Sequence, residues 1–191
     1  YSFGARPKLS AQRLRGSNVA RARPSLLAVA SFMLAVTGIR FGSFQIHTSD
    51  GHHQTLRTLV DHTLEHHFPN HDASTDDGLI AWLTEVAESS ATMIAHWMRV
   101  GFVHGVMNTD NMSIHGLTID YGPYGWLEDF NPDWTPNTTD AGRKRYRFGH
   151  QAQIGQWNFA RLLEAISPLM KEPDLLYQAL DYYEQSFTQY N

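Results

Sequence analysis

The most constraining feature of this sequence is a pair of oxygen-bearing side chains, Asn111 and Asp120, nine residues apart. Two short apolar segments, residues 112–114 and 117–119, lie between them and are separated by a two-residue turn. This pattern predicts a small β-hairpin, which would bring the two side chains together without help from a distant part of the chain. Mg²⁺ prefers oxygen ligands and completes its octahedral shell with phosphates and water. We therefore predict that Asn111 and Asp120 hold a divalent cation.

The same stretch fits the protein-kinase pattern H-R-D-x-x-x-x-N followed by D-F-G. His104 takes the His position, Asn111 the Asn position and Asp120 the position of the D-F-G Asp. In that pattern the Asn and the second Asp hold Mg²⁺ against the phosphates of ATP. The position of the base Asp is Val106, which cannot accept a proton. Asp110 is the candidate replacement base; its alternative role is to accept backbone hydrogen bonds within the loop.

Two further residues near this pattern carry hypotheses. Arg40 is the only basic residue between Arg23 and Arg57, so its guanidinium is a candidate for binding a phosphate. The alternative is an exposed charge at the end of a strand. For His104 we expect a structural role, in which the ring holds the loop through a backbone hydrogen bond.

Several other classes of site are weakly supported. The chain has no Cys, which excludes disulfides, thiolate metal sites and Cys nucleophiles. It has 11 His, and His62 and His66 have i, i+4 spacing on a predicted helix, but nothing nearby completes a zinc site. The basic run 143–147 is expected to be a solvated or salt-bridged segment, with contact to phosphate or substrate as the alternative.

The charge is unevenly distributed along the chain. Residues 1–49 hold seven basic residues and no acidic one, whereas the part from Asp50 onward holds 19 acidic and eight basic residues, a net charge of −11. Such an acidic body argues against nucleic acid as a partner, because a phosphate backbone requires a positive surface. It suits a protein that binds a divalent cation before an anionic nucleotide.

The basic N-terminal part precedes an apolar run of eleven residues, 26–36. This run is too short to span a bilayer, so we expect no stable membrane insertion. The segment is similar to a targeting sequence. A misassigned start of the gene and a buried element of the fold are the alternatives.

The apolar spacing elsewhere predicts an α+β protein that is mostly helical. Residues 39–44 are short, aromatic and interrupted by Gly, which favours a strand or a strand-to-loop join. Asp76 or Asp77 is the expected cap of the longest helix. Four helices are predicted, over residues 54–68, 79–100, 154–170 and 173–190.

Four segments together resemble the selenoprotein O (SelO/YdiU) family: residues 39–44, 101–114, 116–123 and 153–158. The resemblance runs from about Ile39 to Met170. It implies a protein-kinase-like fold, of which this chain would be a fragment similar to the C-lobe, with the N-lobe largely missing. We therefore divide the chain into an N-terminal segment, 1–38, and a catalytic core fragment, 39–191.

Members of this family are called pseudokinases because the base Asp is absent. The resemblance implies transfer of AMP from ATP to Ser, Thr or Tyr hydroxyls of proteins, with the nucleotide bound in a flipped orientation. By similarity, Asp110 would accept the proton, while Asn111 and Asp120 would hold Mg²⁺ or Mn²⁺. Asp120 would also lie against ATP, and Arg40 would contact its phosphates. A bacterial member would be cytoplasmic and a eukaryotic one mitochondrial.

The chain also departs from the family pattern. A second nucleotide-binding Arg is expected seven residues before Arg40, where this sequence has Met33. No Gly-rich phosphate loop is found upstream. Two alternatives to AMP transfer therefore remain: an inactive remnant that at most binds a partner, or a kinase that transfers the γ-phosphate.

Overall fold

The computed structural model of the protein describes residues 38–190. The predictions for the apolar run 26–36 and for Met33 lie outside the described residues. The described part is mostly helical, with one small antiparallel sheet, as the sequence predicts. Its helices are α1 (Phe41–Ser49), α2 (His53–His67), α3 (Asp76–Arg99), α4 (Gln151–Ile166) and α5 (Leu176–Tyr190), and its strands are β1 (Phe102–Val103) and β2 (Gly125–Trp126).

Helix α3 is the central element, and its apolar spacing predicted it to within a few residues. The expected cap was wrong, because Thr75 rather than Asp76 or Asp77 caps the helix, and its hydroxyl accepts the N–H of Gly78 at 3.1 Å. The Asp76 carboxylate instead accepts backbone N–H groups from residues 171 and 172. This contact ties the start of α3 to the segment between α4 and α5.

The core lies where α3 packs against α5 and α4, and where α1 packs against α4. Apolar burial of this kind supplies most of the stability of such helices, since short helices are marginal alone. Aromatic pairs join α1 to its neighbours: Phe44 lies 5.8 Å from Trp82 and Phe41 lies 6.4 Å from Phe159, between ring centroids. Both Phe residues of α1 are fully buried, so this short helix is fixed in position.

The predicted strand or strand-to-loop join over residues 39–44 was wrong, since only Arg40 forms a β-bridge and the chain is helical from Phe41 onward. Arg40 forms a single antiparallel bridge with Ser113, and helix α1 begins at the next residue. The Ser43 hydroxyl accepts the Arg40 N–H at 3.3 Å, and the Ser43 N–H donates to the Arg40 carbonyl at 3.0 Å. These contacts turn the chain into a helix at a place where its aromatic content had indicated a strand.

The predicted hairpin between Asn111 and Asp120 is confirmed. Met112 and Thr118 form an antiparallel bridge, and Gly116 in the turn has a φ of +62°. A Cβ at Gly116 would lie 2.6 Å from the Ser89 carbonyl oxygen, so the hairpin packs closely on α3. Among the helices of residues 38–190, none is long and apolar enough to cross a bilayer.

Candidate active site

His104 begins the loop that carries the candidate site, and it is fully buried. Its Nδ1 accepts the N–H of Val106 at 3.3 Å, and its Nε2 lies 2.8 Å from the Ile119 carbonyl oxygen. These two contacts place the ring proton on Nε2, which donates it to the Ile119 carbonyl at the end of the hairpin. Burial holds the pKa of His104 below its ordinary value, against opposing effects of the Ile119 carbonyl and the Asp120 charge. The predicted structural role of His104 is confirmed.

Two buried amides, which sequence reasoning missed, hold the carbonyls of this loop. Asn137 donates from Nδ2 to the Gly105 carbonyl at 3.0 Å, and Asn158 donates to the Met107 carbonyl at 2.9 Å. A buried carbonyl without a partner costs about 1–3 kcal/mol, so these contacts stabilise one backbone path for the loop. Asn158 belongs to α4, which therefore positions the loop directly.

Gln151 at the start of α4 was also missed. Its Oε1 accepts the backbone N–H of His104 at 3.0 Å, and its Nε2 donates to the Phe102 carbonyl at 2.8 Å. One buried side chain thus satisfies one backbone donor and one backbone acceptor where the chain leaves β1. The contacts span 47 and 49 residues of sequence, so no local pattern indicates them.

Asn111 is oriented by its own loop. Its Nδ2 donates to the Val106 carbonyl at 2.7 Å, which fixes the amide so that Oδ1 is the atom turned away. Within residues 38–190, no group donates to this oxygen. The geometry therefore presents an amide oxygen, the atom type that a hard divalent cation requires.

Asp110 lies on a 3₁₀ turn, Thr109–Asn111, whose preceding residue Asn108 accepts the Asp110 N–H at 3.0 Å. Its carboxylate rests against the first turn of α1, since a Cβ added at Gly42 would lie 2.0 Å from Oδ1. The N-terminus of a helix favours a negative charge nearby. Asp110 is exposed to solvent, so its side chain is accessible to other molecules.

Asp120 follows the hairpin in an unusual backbone conformation, with a φ of +51°. Asp tolerates the left-handed region better than most residues, and such conformations concentrate at functional sites. Arg40 Nη1 lies 2.7 Å from Asp120 Oδ2 and donates to the Asp110 carbonyl at 2.9 Å. One guanidinium therefore joins the two acidic residues that the sequence singled out.

The side chains of Asn111 and Asp120 suit a hard cation that takes its remaining ligands from phosphate or water. Among the described residues, no group of three or more His, Asp or Glu side chains is placed to hold a metal. Asn111 and Asp120 offer one amide and one carboxylate, so further ligands would have to be phosphate or water oxygens. The rings of His62 and His66 lie 4.2 Å apart between centroids but complete no metal site. Magnesium at Asn111 and Asp120 stays a prediction.

Comparison with known proteins gives one consistent result. The family model described as protein adenylyltransferase SelO matches residues 10–191, extending upstream of Ile39 and beyond Met170. Proteins named protein nucleotidyltransferase YdiU are similar. One from Xanthomonas campestris pv. campestris (strain B100) is 54% identical over 154 residues, covering 81% of this chain and 30% of the relative.

Two further relatives carry the same name. The protein from Rhodopirellula baltica is 54% identical over 159 residues, covering 81% of this chain and 29% of its own length. The protein from Xanthomonas oryzae pv. oryzae (strain PXO99A) is 47% identical over 176 residues, covering 92% of this chain and 32% of its own. The chain therefore spans about 30% of the length of the relatives it matches.

Proposed function

Because the chain belongs to the SelO family of protein adenylyltransferases, we propose that it carries the catalytic part of an enzyme that transfers AMP from ATP to protein hydroxyls. The family is one of nucleotidyltransferases, as the names of its relatives state. The acceptors we propose are Ser, Thr and Tyr side chains of other proteins. We further propose that the helical unit corresponds to the C-lobe-like part of a kinase-like fold, on the strength of the loop and hairpin spacing.

One observation carries this proposal: Arg40 Nη1 contacts both the Asp120 carboxylate, at 2.7 Å, and the Asp110 carbonyl, at 2.9 Å. Arg40, a candidate phosphate-binding cation, thus links the candidate metal ligand Asp120 to the backbone of Asp110, whose side chain is the candidate proton acceptor. Asn111 follows Asp110 directly and turns its amide oxygen away from the loop. These four residues are the ones to which we assign roles in nucleotide transfer.

The chemistry we assign to these residues begins with phosphate binding. A divalent cation bound by Asn111 and Asp120 would neutralise charge that develops on the phosphates. The Arg40 guanidinium binds a phosphate through charge-assisted hydrogen bonds and orients it. In this structure Arg40 is paired with Asp120, so that pair opens when the nucleotide binds.

The transfer step places the proton on Asp110. The Asp110 carboxylate takes the proton of the acceptor hydroxyl as that oxygen forms a bond to the α-phosphorus. The bond between the α-phosphorus and the oxygen bridging to the β-phosphate breaks, and pyrophosphate leaves with that electron pair. Val106 takes no part, because its backbone N–H is bound to His104 and its side chain has no proton acceptor.

The test is mass spectrometry of an acceptor protein after incubation with the chain, ATP and Mg²⁺, with casein as the acceptor. AMP and phosphate add different masses, so the adduct distinguishes AMP transfer from a γ-phosphate kinase. We expect the AMP adduct, and its loss in Asp110→Asn. A phosphate adduct would favour a kinase, and the absence of any adduct would favour an inactive remnant.

A further inference from the structure

A cluster of Arg side chains lies over Trp157, a partly exposed residue of α4. The guanidinium carbon of Arg145 lies 4.7 Å from the centroid of the Trp157 ring, and that of Arg161 lies 5.2 Å from it. Trp157 is 44% exposed. An aromatic ring attracts a guanidinium over its face, and the N–H groups of that guanidinium can still bind a further ligand. We call Arg145, Trp157 and Arg161 the Arg-Trp platform.

The turn that brings Arg145 to the platform is fixed by one carboxylate. Asp140 accepts the backbone N–H of Arg145 at 3.0 Å through Oδ1 and that of Tyr146 at 2.7 Å through Oδ2. Its carbonyl also accepts the N–H groups of Arg143 and Lys144. Asp140 thus fixes the shape of the turn through hydrogen bonds to backbone N–H groups. It forms no ion pair with the Arg and Lys side chains of the turn.

Within the described part of the chain, the cations of this turn form no ion pair with a neighbouring side chain. None of the ion pairs formed within residues 38–190 involves Arg143, Lys144 or Arg145, all of which are exposed. By contrast, Arg147 pairs with Asp133 at 3.0 Å. On the platform itself, Arg161 pairs with Glu164. The turn therefore carries three unpaired positive charges next to an exposed aromatic ring.

This concentration of positive charge stands out against the rest of the protein. Residues 38–190 contain nine basic and 19 acidic residues, a net charge of −10. A long polyanion such as nucleic acid would be repelled by the acidic surface around the patch. A short acidic segment of a protein bears less of that cost, since few of its charges lie near the rest of the acidic surface.

We propose that the Arg-Trp platform, together with Arg143 and Lys144, is a docking surface for a Glu- or Asp-rich segment of a partner protein. Carboxylates match the fork of a guanidinium in bidentate geometry. The surface lies on the exposed side of the helix whose buried Asn158 holds the Met107 carbonyl. The platform and the candidate active-site loop therefore share helix α4, and the proposal does not depend on AMP transfer.

The experiment uses a fluorescein-labelled peptide of five Glu-Gly repeats, with binding to the whole chain followed by fluorescence anisotropy. We expect the affinity to fall by about tenfold or more in the double variant Arg145→Gln, Arg161→Gln. The affinity should fall less in Arg145→Lys, which keeps the charge but not the planar fork. Raising the salt concentration should weaken binding of the unaltered chain.

The matched control is Arg99→Gln, which removes an exposed cation at the end of α3 without touching the platform. We expect this variant to bind the Glu-Gly peptide like the unaltered chain. Absence of peptide binding, or an equal loss in Arg99→Gln, would overturn the proposal. If the double variant does not fold by circular dichroism, Arg145→Gln alone gives the same test, because that side chain is exposed.

Discussion

Arg40 and Asp120 form an ion pair in which Nη1 lies 2.7 Å from Oδ2, although 80 residues of sequence separate them. The same nitrogen donates to the Asp110 carbonyl at 2.9 Å. The Arg40 guanidinium is therefore already paired with the Asp120 carboxylate, to which we assign a divalent cation. Under the proposed function, Arg40 would compete with the metal for Asp120 before the nucleotide binds and would contact the phosphates afterwards.

Replacing Arg40 by Gln should therefore raise the affinity for a metal ion and lower the affinity for Mg-ATP. Mn²⁺ alone should bind up to about fivefold more tightly, because a half-exposed ion pair contributes roughly 0–1 kcal/mol that the metal no longer has to displace. Mg-ATP should bind about tenfold or more weakly, because a charge-assisted phosphate contact worth roughly 1.5–3 kcal/mol is lost. Isothermal titration calorimetry measures both affinities.

The control for this pair is Arg57→Gln, since Arg57 forms a comparable ion pair with Asp61 at 2.7 Å on α2. That variant should change neither affinity. Weaker binding of both ligands in Arg40→Gln would show that Arg40 supports the fold of the site rather than competing for Asp120.

Gly42→Ala should impair transfer without loss of stability. The new methyl group would lie 2.0 Å from Asp110 Oδ1, so the exposed carboxylate has to rotate away from the first turn of α1. Ala is favoured over Gly in a helix, so the free energy of unfolding should stay unchanged or rise by up to about 1 kcal/mol. Transfer assays and urea unfolding separate the two effects.

Gly142→Ala is the matched control, because a Cβ at Gly142 meets nothing within 4 Å. It should keep full transfer activity. Unimpaired transfer by Gly42→Ala would mean that the observed position of the Asp110 carboxylate is not the one used in catalysis.

Asn111→Asp should destabilise the loop in the absence of metal. The Val106 carbonyl loses the donor that lies at 2.7 Å and faces a carboxylate instead. We expect the free energy of unfolding to fall by about 1–3 kcal/mol. Added Mg²⁺ should restore part of it, since the new carboxylate is a cation ligand and a ligand that binds only the folded state stabilises it.

Asn108→Asp serves as the control for that variant, because Asn108 uses its side-chain oxygen to accept the Asp110 N–H and Asp can do the same. Its stability should stay close to that of the unaltered chain. If Mg²⁺ stabilised Asn111→Asp no more than it stabilises Asn108→Asp, position 111 would not be a metal ligand.

Acidification should destabilise the protein through the histidines between α2 and the hairpin. Burial lowers the pKa of His67, with contributions from His62 and His66, and burial together with His67 lowers that of His115, against the opposing charge of Glu85. A lowered pKa in the folded state means that the unfolded state binds more protons below about pH 6.5. The resulting penalty is absent at higher pH and grows as the pH falls from that value towards the folded pKa.

Urea unfolding at pH 7.5 and pH 5.5 measures this penalty. His115→Gln should reduce the loss of stability between the two values, whereas His53→Gln, at the exposed start of α2, should leave it unchanged. An equal loss of stability in His115→Gln and in the unaltered chain would exclude His115 as a source of the pH dependence.

The local structure around the candidate site could be predicted because its information is local. The hairpin lies within ten residues, so its apolar spacing alone indicates that Asn111 and Asp120 approach each other. Helix α3 was predicted for the same reason, since 24 residues of regular spacing outweigh any single ambiguous position.

The parts that sequence reasoning missed depend on distant contacts. Helix α1 is only nine residues long, and its buried Phe41 and Phe44 are as typical of a strand as of a helix until α3 and α4 pack against them. The supporting amides Asn137 and Asn158 act over 32 and 51 residues of sequence. The sequence around an isolated Asn does not indicate which distant carbonyl its side chain will bind.

The central claim is tested most directly by incubating this chain with Mg²⁺ and ATP labelled at the α-phosphate, beside Asp120→Ala and a parallel reaction with ATP labelled at the γ-phosphate. We predict that label from the α-phosphate becomes bound to protein, that Asp120→Ala abolishes it, and that the γ-phosphate gives none. Labelling that is undiminished in Asp120→Ala, or that comes from the γ-phosphate, would contradict the account.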